Sequence, residues 1–144
     1  MCKGIHLSKE KFLYSETTDC IQIEAAPFYI PERSSPVDNY FFYAYTIKIT
    51  NHGQQRVQLL SRSWLIRNGK KEENEVRGEG VVGEKPFIEP GESYQYTSFC
   101  PITTSTGNMR GKFKFRNEAD LDFWVPIPVF FLRKPETFFP QVHA

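Results

Sequence analysis

The stretch Tyr40–Asn51, YFFYAYTIKITN, alternates with a period of two: Phe41, Tyr43, Tyr45, Ile47 and Ile49 fall on one face and Phe42, Ala44, Thr46, Lys48 and Thr50 on the other. Both sets are aromatic or β-branched for most of their length, so the stretch reads as a strand buried on at least one side, central in a sheet. A chain with such a strand must supply neighbours for both of its edges, and the following residues do so. Asn51-His52-Gly53 is a turn, Arg56–Arg67 a second strand and Asn68-Gly69 a hairpin signal, because Asn and Gly accept the left-handed backbone of tight connections. Lys71–Val76 returns as a short, charged strand suited to an exposed edge.

Further strands follow at spacings near ten residues. Cys20 opens an alternating run through Ile21, Ile23 and Ala25, and Pro31–Asn39 is a loop rich in Pro and Ser. Ser93–Phe99 alternates, and Met109–Asn117 sets Met109, Gly111, Phe113 and Phe115 inward against an outward basic row. Leu121–Leu132 carries Pro126 and Pro128, which leave an edge or bulged strand as its only place. No helical period occurs. The pattern predicts an all-β fold, an immunoglobulin or fibronectin type III-like sandwich of about seven or more antiparallel strands. Residues 1–19 show no period and are expected to form a loosely structured lead-in to one sandwich domain over 20–144.

A chain of 144 residues buries roughly 70% of its unfolded surface, enough for a core. Eighteen Lys and Arg against seventeen Asp and Glu leave no one-signed field to draw in nucleic acid or an anionic membrane. Cys2, Cys20 and Cys100 lack metal-site spacing and read as reduced thiols. With no long apolar run, the expectation is a soluble cytoplasmic protein without membrane attachment.

Gly78, Gly80 and Gly83 match GxGxxG, flanked by Arg77 and Lys85. A dinucleotide site needs a buried strand before this motif and a helix after it. KEENEV is too polar for the first, and Pro86 with Pro90-Gly91 forbids the second. The glycines read as a close-packed loop, with a backbone nest for a weak pyrophosphate or nucleotide ligand as the lesser reading. Arg110, Lys112, Lys114 and Arg116 form a candidate basic face, more consistent with an ordinary solvated strand balanced by Glu118, Asp120 and Asp122 than with nucleic-acid binding. His6, His52 and His143 sit at no metal-ligand spacing, and no serine nucleophile motif is present, so no cofactor, metal site or catalytic residue is expected. Aromatic residues exceed what one interior needs. Trp64, Trp124 and Phe130 are the candidates for a protein-interaction surface, Trp124, Phe130 and Phe42 falling on the less apolar faces of their strands, with Phe138-Phe139 beyond the last strand.

The run VQLLSRSWLIRNGKKEENEVRGEGVVGEKPFIEPGESYQYTSFC, with its GxGVVGxxPxxxPGxxxxYTS signature and the later IPVFFL, resembles the ApaG family from about Cys20 to His143. The resemblance implies a fibronectin type III-like sandwich and no enzymatic activity. It further implies either a protein-interaction module, as in the F-box and polymerase-delta-interacting proteins that carry the domain, or a sensor of pyrophosphate, nucleotide or divalent cation tied to cobalt and magnesium homeostasis. The chain departs from the bacterial pattern at Phe99-Cys100, after YTS, and in the basic strand from Arg110. The first reading, a non-catalytic domain that binds another protein, is the one expected here.

Overall fold

Period-two alternation becomes strands over most of the chain in the computed structural model, which describes residues 12–134. Among the described residues there are nine: β1 (Tyr14–Thr18), β2 (Ile21–Tyr29), β3 (Phe41–Asn51), β4 (Val57–Asn68), β5 (Glu73–Glu79), β6 (Phe87–Ile88), β7 (Ser93–Ile102), β8 (Thr106–Arg116) and β9 (Asp122–Arg133). The only helical turns among them are two short 3-10 pieces, Pro31–Arg33 and Pro36–Asp38, each begun by a proline whose missing N–H costs nothing there. One sheet has the order β1-β2-β3-β7, and the other β5-β4-β8-β9 with β6 paired to β4. All the pairings are antiparallel. β3 is central, as its two apolar faces require.

β1 lies inside the stretch expected to be a loosely structured lead-in. It pairs along its whole length with β2, from Tyr14 opposite Ala25 to Thr18 opposite Ile21. Five residues with one clear apolar contact, Tyr14 against Phe130, are too few to show a period, so the strand owes its existence to its partner. Cys20 follows at the turn into β2 with φ +67 and is disulfide-bonded, so the reading of three reduced thiols fails at that position. Cys100 is a buried free thiol.

Two β-bulges decide which aromatics enter the core. Across from β8, Leu59 faces Phe115 and Ser61 faces Lys114, leaving Leu60 as an extra residue in β4. Val57 and Leu59 therefore point inward before the bulge and Trp64 and Ile66 after it, although they differ in parity. In β9, Met109 faces Phe130 and Gly111 faces Ile127, so Pro128 and Val129 together oppose Arg110. That extra residue turns Phe130 and Leu132 into the interior alongside Val125 and Ile127. The expectation that Trp64 and Phe130 belong to a binding surface is corrected by this geometry: Trp64 is 3% exposed and Phe130 0%. Trp64 instead centres an aromatic cluster that joins the sheets, edge-on to Tyr45, Phe113 and Phe130 with ring centroids 5.3, 6.2 and 5.9 Å away. Phe42 is likewise 5% exposed, closed over by its neighbours on the outer face of β3.

Asn51, read from sequence as a turn residue, is fully buried and holds three segments together. Its side-chain amide donates to the carbonyls of Gln55 and Ile88, and its Oδ1 accepts the Gly53 amide. Its backbone meets Gly91 and Glu92. A buried amide satisfied on both ends fixes the geometry of everything it touches.

Candidate functional site

β4 uses one edge for two partners: Ser61–Arg67 pairs with β5, and Val57-Gln58 with β6. The glycine stretch is the excursion between them. It leaves where the Gly80 amide donates to Leu60 O at 2.7 Å and returns where the Leu59 amide donates to Pro86 O at 3.0 Å, so it springs from the β4 bulge. Within it Val81 and Glu84 exchange both backbone hydrogen bonds, at 2.8 and 2.9 Å. Val82 and Gly83 sit between them at φ +42 and +82, the pattern of a type I′ hairpin turn. Buried Val81 anchors the hairpin, and Val82 at its tip is 54% exposed.

The spacing of the glycines now has a mechanical cause. At Gly80, φ is +62 and a Cβ would stand 2.3 Å from the carbonyl oxygen of Glu84. At Gly78 a Cβ would meet the Arg62 guanidinium within 3 Å, because Arg62 and Gly78 are cross-strand partners. Arg62 Nη1 donates to Gly80 O at 2.7 Å and to Glu79 O at 3.1 Å. Its charge also reaches the phenols of Tyr45 and Tyr96, opposing the upward push that burial gives both. Arg62 is not among the residues singled out from the sequence; its signal there is an arginine two residues before Trp64 on an otherwise apolar strand face.

The hairpin therefore turns carbonyls toward a cation and consumes the amides of Gly80, Val81 and Glu84 in its own bonds, the reverse of an anion nest. The two flanking cations are also engaged. Lys85 Nζ lies 2.8 Å from Glu79 and holds that carboxyl below its usual range, while Arg77 is 3.6 Å from Glu75. Glu84 accepts from Tyr94 Oη at 3.3 Å, tying the hairpin to β7.

The basic row points outward on β8, which lies between β4 on one side and β9 on the other. Arg116 grips Asp122 through two bonds, at 2.7 and 3.2 Å, holding its carboxyl low, and Lys114 stands 3.8 Å from the same carboxylate. Arg110 donates to Asn108 at 3.2 Å. Lys112 and Lys114 place their ammonium groups 4.5 and 5.8 Å from the ring centroid of Trp124, which is 43% exposed. Beside that ring runs an open groove of about 420 Å³, walled by Lys112 and Trp124, floored by Ser61 and Ser63, and closed by Arg77, Gly78 and Glu79. Of the sequence candidates, the structure thus brings Trp124, Lys112, Arg77 and Gly78 together. It sends Trp64 and Phe130 to the core and leaves Arg110 and Arg116 outside the groove.

Among the described residues no group of three His, Cys, Asp or Glu stands close enough to hold a metal ion, and no helix is long and apolar enough to cross a membrane. His52 bonds Gln22 at 2.7 Å; His6, His143 and Phe138-Phe139 lie outside the described residues.

An all-β sandwich with a glycine hairpin braced by an internal arginine is the class of protein these features define. The ApaG domain model matches residues 31–117, and the chain belongs to the ApaG family. Protein ApaG of Afipia carboxidovorans is 47% identical over 86% of this chain and 95% of its own length. That of Paramagnetospirillum magneticum is 43% identical over 85% and 95%. The crystal structure of a Bordetella pertussis protein described as ApaA superposes with a TM-score of 0.79 at 43% identity, covering 81% of this chain and 95% of that one.

Proposed function

We propose that this ApaG domain is a non-catalytic binding module that docks another protein on the outer face of the second sheet. The observation that carries the reading is Trp124, a large aromatic left 43% exposed and held in place by Lys112 and Lys114 at the mouth of a groove. Exposed tryptophan is costly to leave in water and is enriched where partners bind, with arginine and aromatic neighbours. The end of β5, Arg77 to Glu79, shapes the opposite wall. Quantitative capture from the source cell, comparing the wild-type chain with Trp124→Ala and with a distant Lys70→Ala control, tests this. Partners lost only with Trp124→Ala support it; an unchanged partner set removes this face from the proposal.

The sensor reading, with pyrophosphate, nucleotide or divalent cation at the hairpin, has less support because the amides it needs are already bonded. A thermal-shift panel over those ligands separates the two. A ligand at one hundred times its dissociation constant stabilises by about 2.7 kcal/mol, whereas a protein-binding module does not respond.

A further inference from the structure

Among the described residues five strands border the two sheets, and four of them carry devices that prevent pairing with another chain. β6 has only two residues. β1 has only five residues. β5 reads ENEVRGE, with Glu73, Glu75, Arg77 and Glu79 along it. β9 is bulged and contains Pro126 and Pro128. Short length, charge, bulges and proline are the recognised ways of blunting an edge. β7 has almost none of them. It spans ten residues, SYQYTSFCPI, without Lys, Arg, Asp or Glu; its register with β3 runs unbroken, and its lone Pro101 stands next to the end. Among the described residues its backbone pairs with β3 alone.

The outer sheet face beside this edge is neutral over two cross-strand rows, and the row after them sets Glu24 and Lys48 beside Gln95. Phe28, Ala44 and Phe99 form one cross-strand row and Ala26, Thr46 and Thr97 the next. Phe99 is 55% exposed and packs on Phe42 at 5.4 Å, with the Arg33 guanidinium 4.3 Å from the Phe42 ring centroid and 5.9 Å from that of Phe99.

We infer that two copies of this chain pair through β7, antiparallel about a two-fold axis, so that their four-stranded sheets become one continuous sheet. The occupant follows from charge. A two-fold sets a strand against its own sequence, so any charged edge meets like charges, which destabilise cross-strand pairs. β5 would place glutamates against glutamates; β7 has nothing to repel. Its strand is about 34 Å long. A strip about 10 Å wide along it, with the exposed parts of Phe99 and Phe28, buries about 500 Å² per copy, at the low end for specific interfaces. The pairing is therefore weak, with a dissociation constant in the micromolar range.

Sedimentation velocity from about 5 μM to about 1 mM tests this without reference to the Trp124 face. The weight-average mass is expected to rise from 16.8 kDa toward twice that value. Thr97→Lys, and separately Gln95→Lys, put an ammonium group on the exposed side of β7 and are expected to raise the dissociation constant at least about tenfold. Trp124→Ala, on the other sheet, leaves it unchanged. A mass fixed at 16.8 kDa throughout overturns the inference and hands the edge to a foreign strand or to none. Dimerisation undiminished in both lysine variants places the contact elsewhere and overturns it equally.

Discussion

Val82 holds a β-branched side chain at φ +42, where such residues are rarely found, and it does so at an exposed tip rather than under packing. A type I′ turn favours Asn at this position before Gly. Val82→Asn is expected to raise stability by about 0.5–1 kcal/mol in urea denaturation, relieving strain that the fold does not need. Gly80→Ala has the opposite sign. It combines a left-handed backbone cost of about 1–2 kcal/mol with a clash against the Glu84 carbonyl, so it should lose more than about 2 kcal/mol. Arg62→Ala is expected to fall between about 1 and 3 kcal/mol, since it strips the donors from two hairpin carbonyls. A Gly80→Ala domain as stable as wild type would contradict the brace. The glycines were legible in the sequence, as was the absence of a phosphate-binding helix. Arg62 was not, because its partners are backbone carbonyls brought to it by a strand pairing, and a sequence does not display its carbonyls.

At the scale of elements, one residue of register decides core against surface. Strict alternation put Phe130 among the surface candidates, and Trp64 joined them as one of the surplus aromatics; the bulges at Leu60 and at Pro128-Val129 carry both into the interior. Pro126 and Pro128 did announce an edge or bulged strand, and β9 is both. Nothing local announced the extra residue in β4, Leu60, whose carbonyl accepts the Gly80 amide where the chain leaves β5. Equilibrium denaturation checks the assignment. Trp64→Ala and Phe130→Ala are each expected to cost about 3–5 kcal/mol, as fully buried aromatics do. Trp124→Ala should stay within about 1 kcal/mol, its cation–π contacts being exposed. A Trp124→Ala loss equal to that of Trp64→Ala would sink the distinction between them.

For the whole molecule, the two-sheet sandwich was legible from strand count and turn spacing alone, because period two and tight turns leave few other architectures open. Its titration behaviour depends on burial and so was not. Burial pushes the Cys100 thiol from 9.0 up to about 12 and the Tyr43 phenol from 10.0 up to about 12. Between those values the unfolded chain gives up protons that the folded chain retains, so it binds fewer and stability falls as pH rises. Urea midpoints are expected to drop from about pH 9 upward, with a shallower initial slope in Cys100→Ala. A midpoint that holds level to about pH 11 would show that these groups ionise freely in the fold.

The most direct test of the account concerns the glycine hairpin, held to be a self-bonded turn braced by Arg62 rather than an anion cradle. Amide NMR spectra recorded while pyrophosphate is added to millimolar concentration follow Gly78, Gly80, Val81, Gly83 and Glu84 individually. The account predicts no saturable movement of these signals, since the Gly80, Val81 and Glu84 amides already donate to carbonyls of the chain. Saturable shifts that converge on them, and that vanish in a Gly80→Val variant, would contradict it.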